Sequence, residues 1–162
     1  MTESLKSITS KVYTPCKLVV SKFELEPESK AYEASKFQLN NTKVIYRHAK
    51  ITPKKVGQFV TFWKRTENGT IAPLEETDEF DFFVISVRKG NLEGQFVFPK
   101  KVLLQKGLVS TSVKEGKRGF RVYPLWDTAI SKQAKNTQKW QLNYFYQIDS
   151  KINLIKVSNL FS

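Results

Sequence analysis

Apolar and polar positions along this chain first follow the two-residue period of strands, and later the wider spacing of helices. Residues 2 to 13 read as a short helix, capped by Thr2 or Ser4 and ended by Pro15. Residues 18 to 25 are apolar with alternating charge and fit either helix or strand. Glu24 to Ser29 is acidic around Pro27, which indicates a loop or a helix start. Tyr32 to Leu39 alternates as a strand, with Phe37 and Leu39 on one side. Asn40-Asn41 is a turn signal, so residues 32 to 51 predict a hairpin. Lys43 to Arg65 reads as two strands joined by a turn from Thr52-Pro53 to Gly57, and Glu67-Asn68-Gly69 turns the chain again.

Residues 71 to 79 form an acidic, loop-like run that is either a solvated loop or a shield for part of the basic surface. Phe80 to Val87 is almost continuously apolar, as a central strand buried on both faces would be. Gly90-Asn91 supplies a turn, and Gly94 to Phe98 the partner strand. Pro99 opens a helix that Gly107 stops. Thr111 to Gly119 reads as a polar loop in which Gly116 and Gly119 give freedom to Lys117 and Arg118. Phe120 to Tyr123 is a short strand, and Ser131 caps a helix running to about Phe145. On that helix Lys132, Lys135 and Lys139 share one face, while Ala134, Thr137, Gln141 and Phe145 share a less polar one. Ile148 to Phe161 reads as a last helix carrying Ile152, Ile155 and Leu160. The sum is an α+β or mixed α/β fold, a central mixed sheet flanked by helices. The 162 residues suit a single domain, with residues 1–22 as an N-terminal helical arm and 23–162 as the core.

Charge changes this picture more than composition does. The chain carries a formal +12, and Lys43 to Arg65 holds seven cations with no carboxylate. From Lys100 to Lys139 ten cations face only Glu115 and Asp127. Such density favours an anionic partner, nucleic acid before a membrane surface or an acidic protein. No apolar run reaches membrane-spanning length. Cys16 is the only cysteine and His48 the only histidine, so an internal disulfide and a Cys/His metal cluster are both excluded. This usage fits a reducing, cytoplasmic setting.

Basic and aromatic residues interleave: Trp63 precedes Lys64 and Arg65, Trp126 follows Arg121 and Tyr123, and Trp140 follows Lys139. Cations that hold phosphates beside rings that stack bases are the chemistry of sequence-tolerant nucleic-acid grooves. The alternative for each Trp is a place in the core with cations at its rim. Gly116-Lys117-Arg118-Gly119 lacks the upstream Gly and the following Ser or Thr of a nucleoside-triphosphate loop. The predicted contacts to DNA or RNA are Arg47, His48, Lys50, Lys54, Lys55, Trp63, Lys64, Arg65, Lys117, Arg118, Arg121, Lys135 and Lys139.

Several runs resemble the MepB family, small bacterial proteins often encoded beside a multidrug efflux pump. They include Glu26-Pro27-Glu28-Ser29 with Tyr32-Glu33, Arg47-His48-Ala49-Lys50-Ile51-Thr52-Pro53-Lys54-Lys55 with Gly57-Gln58-Phe59-Val60, and Glu115-Gly116-Lys117-Arg118-Gly119-Phe120-Arg121-Val122-Tyr123-Pro124. The resemblance implies a role accessory to multidrug resistance. The layout is also similar to PD-(D/E)XK nucleases, which place an acid on one hairpin strand and an acid-x-Lys on the next. That resemblance implies Glu28, Glu33 and Lys50 as catalytic candidates, with Mg²⁺ or Mn²⁺. Here His48 stands where a metal-binding acid is wanted, with Arg47 beside it. Two cations at that point oppose Mg²⁺ by Coulomb repulsion, and the same three residues also suit an ion-pair group that fixes the hairpin. The expectation is therefore nucleic-acid binding with little sequence preference, on a nuclease-like scaffold with a degenerate metal site and no cofactor. The alternative is a metal-dependent nuclease.

Overall fold

A computed structural model describes residues 1–162. Its frame is a six-stranded mixed sheet in the order β1-β2-β3-β8-β9-β11. These strands are β1 (Val20–Leu25), β2 (Ser35–Leu39), β3 (Thr42–His48), β8 (Phe82–Lys89), β9 (Leu92–Pro99) and β11 (Phe145–Gln147). β2 and β3 form the predicted hairpin across Asn40-Asn41, with Ser35 opposite Tyr46 and Leu39 opposite Thr42. Tyr32 lies before the hairpin, in a 3₁₀ turn at Lys30–Tyr32.

β3 is parallel to β8, Val44 facing Phe82 and His48 facing Ser86. Parallel neighbours need a long crossover, usually a helix. This crossover is built of strands instead: β4 (Lys50–Ile51), β5 (Gln58–Thr61), β6 (Trp63–Arg65) and β7 (Ile71–Pro73). β4 pairs with β5, and β10 (Gly119–Val122) joins them in a second sheet of order β10-β5-β4. The basic stretch is thus divided between two sheets rather than folded as one hairpin. β3 cannot pair with β5, because β2 and β8 already occupy both of its edges.

Alternation along the central strands sorts side chains into two cores. Ile45, Phe83, Ile85, Val87, Phe96 and Phe98 point to one face, where Val60, Phe62, Leu103 and Val122 from the small sheet and α2 (Lys100–Gln105) cover them. Val44, Tyr46, Phe82, Val84 and Val97 point to the other. There α1 (Glu3–Ile8, continued as a π-turn over Thr9–Tyr13) and α4 (Leu154–Leu160) supply Leu5, Ile8, Val12, Tyr13, Val157 and Phe161. The N-terminal helix is therefore a wall of the core, with Leu5, Val12 and Tyr13 fully buried, and residues 20–25 are an outer strand. Thr2 is its cap, accepting from the Leu5 amide.

A buried polar chain crosses the α1 side. The Tyr46 hydroxyl donates to Ser86 Oγ at 2.7 Å, Gln95 Nε2 donates to the same oxygen at 2.9 Å, and the Tyr13 and Tyr146 hydroxyls both donate to Gln95 Oε1. Burial first of all raises the pKa of each of these tyrosines, so they stay neutral donors.

The helix predicted from Ser131 to Phe145 is shorter. α3 spans Lys132–Gln141, a 3₁₀ turn follows at Leu142–Tyr144, and Phe145 opens β11. Phe145 pairs with Phe96 at the sheet edge, and that pairing outweighs continued helix. α4 faces inward through Val157, leaving Ile155 exposed. No helix is long and apolar enough to cross a membrane.

Candidate nucleic-acid interface

α2, β10 and α3 meet around a cleft of about 420 Å³. Lys106, Lys117 and Arg121 line it together with Phe120, Tyr123 and Trp140, and no carboxylate does. Each element delivers its residue for a local reason. Pro99 starts α2 and Gly107, at φ 71°, ends it, which leaves Lys106 at the rim with its ammonium 5.2 Å from the centre of the Trp140 ring. Ser131 caps α3 by accepting from the Ala134 amide, and α3 turns Ala134, Thr137 and Gln141 toward the cleft. Gln141 is fully buried; its Oε1 accepts from the Tyr123 amide and its Nε2 donates to the Arg121 carbonyl. It mimics a neighbouring strand and fixes α3 against β10. Gln138 adds bonds to the carbonyls of Pro124 and Asp127.

The loop carrying Lys117 and Arg118 is tied down, contrary to the freedom expected of its glycines. The Gly116 amide donates to Ser110 Oγ and the Lys117 amide to the Leu108 carbonyl. A Cβ at Gly116 would stand 2.4 Å from the Leu108 carbonyl oxygen, and one at Gly119 would stand 2.5 Å from the Phe59 ring. Both glycines serve close approach of backbone rather than mobility. Lys117 is thus presented at a fixed place.

Arg121 reaches the neighbouring turn. Its guanidinium lies 6.0 Å from the Phe59 ring centre and donates to Thr52 Oγ1 at 2.5 Å and to the carbonyls of Val56 and Gly57 at 3.4 Å. These bonds hold the β4–β5 turn, on which Lys54 and Lys55 are exposed. Tyr123 joins the two regions: it lines the cleft, and a Cβ at Gly57 would stand 2.7 Å from its ring. At the other end Lys139 lines an adjoining hollow with Lys106 and Trp140. The result is a strip of cations running through Lys139, Lys106, Lys117 and Arg121 to Lys54 and Lys55, with Trp140, Phe120 and Tyr123 alongside. Lys132 and Lys135 stand exposed on the outer side of α3.

The remaining predicted cations have other partners. Arg47 is 2% exposed, too buried to meet a phosphate; its Nη1 lies 2.6 Å from Glu26 Oε2 and donates to the Tyr46 carbonyl. Burial pulls its pKa down, and Glu26 opposes that pull. Lys64 is bound to Glu75 at 2.7 Å and Asp78 at 2.9 Å; burial lowers its pKa, but these bonds prevail and raise it. The acidic run 71–79 therefore shields Lys64, and through Glu79 also Lys43. Arg65 is bound to Glu28, whose carboxyl this bond holds below its ordinary range. Arg118 pairs with Glu115 at 3.0 Å. Trp63 lies beside Arg65, outside the strip. His48 Nδ1 is 3.0 Å from the Ala49 carbonyl oxygen.

Glu28, Glu33 and Lys50 are occupied separately. Glu28 faces Arg65, Glu33 accepts from Ser4 Oγ at 2.8 Å, and the Lys50 ammonium sits 5.2 Å from the Tyr32 ring centre. No three His, Cys, Asp or Glu side chains converge as metal ligands. Asp81, just before β8, accepts from the Lys43 amide at 2.7 Å. Sequence reasoning missed Lys106, Phe120 and Tyr123 as lining residues. The signal for Lys106 was present, since a Pro99-to-Gly107 helix must end with that lysine at its C-terminal rim.

The profile of the MepB-like family matches residues 26–147. A crystal structure of MepB superposes with a TM-score of 0.80 at 35% identity, over 93% of this chain and 100% of that one. A bacterial homing endonuclease gives a TM-score of 0.49 at 17% identity, over 85% of each chain. No curated protein matches the sequence significantly. On the profile match and the MepB superposition together, this chain belongs to the MepB-like family.

Proposed function

We propose that this protein is a cytoplasmic nucleic-acid-binding protein with little sequence preference, and that the strip through the α2–β10–α3 cleft is its contact surface. One observation carries the reading. Arg47, Lys64 and Arg65 have carboxylate partners around β1, β6 and the acidic run, and Arg118 has Glu115, whereas Lys106, Lys117, Arg121 and Lys139 of the cleft and Lys54 and Lys55 of the turn have none. Unpaired cations beside aromatic side chains suit a sugar–phosphate chain and its bases. Phosphate contacts position a chain but carry no sequence information, hence the low preference. The distribution of charge favours binding over hydrolysis, because Glu28 and Glu33 have their own partners. A role accessory to multidrug resistance rests on the family resemblance alone.

Fluorescence anisotropy with labelled single- and double-stranded DNA and RNA tests this. Binding should be seen at low salt and be lost in a Lys106→Ala/Lys117→Ala/Lys139→Ala variant. Absence of binding to every probe at low salt overturns the reading.

A further inference from the structure

One side of the basic cleft is the outer edge of β10, the strand that ends the small sheet. Antiparallel pairing sends the backbone groups of alternate residues to opposite edges of a strand. The Phe62 amide donates to the Arg118 carbonyl, so residues 118, 120 and 122 turn theirs toward β5. Residues 119, 121 and 123 turn theirs away, toward α3. Gln141 marks this direction, since it takes up the Arg121 carbonyl and the Tyr123 amide. That leaves the Gly119 carbonyl beside the Arg121 amide, an acceptor next to a donor, and no backbone or side-chain group of the chain bonds either. Gly119 and Arg121 both line the cleft and are only half-buried. A glycine has no side chain, so the surface that Gly119 exposes is backbone.

Such a pair matches the hydrogen-bonding edge of a nucleobase, on which a donor stands next to an acceptor. In a duplex the partner strand already occupies that edge. A peptide strand finds too little here, because Gln141 blocks the edge beyond the Arg121 amide. We propose that the strip binds single strands and that the free edge of β10 holds one unpaired base, which donates to the Gly119 carbonyl and accepts from the Arg121 amide. This rests on the nucleic-acid reading above and sharpens it. It also accounts for low sequence preference, because every base offers a donor beside an acceptor.

The test compares one mixed-sequence DNA oligonucleotide, alone and annealed to its complement, by anisotropy on the full chain. Charge alone favours the duplex, whose phosphates are denser. The single strand should nevertheless bind about tenfold more tightly, the worth of two hydrogen bonds. Arg121→Ala removes the guanidinium and keeps the amide; Arg121→Pro removes both, and an outward amide on an edge strand is where proline is tolerated. Arg121→Pro should bind the single strand about fivefold more weakly than Arg121→Ala, with the duplex unable to tell them apart. If Arg121→Pro unfolds, amide exchange at Arg121 in the wild-type protein decides, and it should slow when the single strand binds. Polyglutamate should bind more weakly than the single strand; equal binding means that the edge takes a peptide, and the proposal falls. A duplex bound as tightly as the single strand, and lost in the Lys106→Ala/Lys117→Ala/Lys139→Ala variant, overturns this inference and leaves the nucleic-acid reading standing. No binding of either oligonucleotide overturns both.

Discussion

Single residues show why the list of basic side chains could not be read as a list of contacts. Arg47 and Lys117 look alike in a sequence, yet one is buried against Glu26 and the other stands in an open cleft. The difference follows from β3. Both faces of its middle, Val44 to Arg47, are covered, so a long side chain there must find a buried partner. Breaking that pair by Glu26→Ala strands a buried guanidinium; such losses cost about 3 kcal/mol or more. The melting temperature should fall by about 6–12 °C in a thermal scan. A smaller effect of opposite sign is expected at Asp127. Burial raises its pKa, and Lys89 at 3.8 Å only partly offsets this. A carboxyl whose folded pKa lies above its unfolded value favours the folded state at low pH and loses that advantage as pH rises through the folded pKa. Asp127→Asn should therefore raise stability at neutral pH, with the gain disappearing below the ordinary carboxylate range. Denaturant titrations at the two pH values check both sign and window.

At the scale of elements, the sequence was most legible where pattern and packing agree. The β2–β3 hairpin, the strand of Phe82 to Lys89, its partner and the Pro99-to-Gly107 helix all stand as the alternation and the turn residues require. The crossover did not. β4 to β7 are two to four residues each, too short for period to assign a partner, and β5 takes its second neighbour, β10, from a segment far along the chain. For the same reason the cleft was only partly legible. Its lysines and Trp140 stand out as charge and aromaticity, but the joint that makes them a surface is Gln141, a neutral residue inside a helix. Gln141→Leu removes both of its bonds and leaves the Tyr123 amide and the Arg121 carbonyl unpaired. Each stranded group costs about 1–3 kcal/mol. Urea unfolding should show a loss in that range or above, and hydrogen exchange at Tyr123 should speed up. Unchanged stability would mean that α3 is held to β10 by its apolar contacts alone.

Over the whole molecule the charge is divided. Around β1, β6 and the acidic run the cations pair with Glu26, Glu28, Glu75 and Asp78, while Lys106, Lys117, Arg121 and Lys139 of the cleft and Lys54 and Lys55 of the β4–β5 turn have no carboxylate partner, although neighbouring Arg118 and Lys89 do. A formal +12 spread evenly would give weak attraction everywhere, whereas a strip of unpaired lysines gives a track. Counterion release turns this into a number. If Lys54, Lys55, Lys106, Lys117 and Lys139 each neutralise one phosphate, log K against log salt has a slope of about −4.5 on duplex DNA, a loss of a few hundredfold between about 50 and 200 mM salt. Anisotropy titrations across that range measure the slope directly. The account predicts that Lys106→Ala/Lys117→Ala reduces its magnitude by about two, and that Lys64→Ala/Arg65→Ala leaves it unchanged. Equal slopes for the wild-type protein and both variants would contradict it.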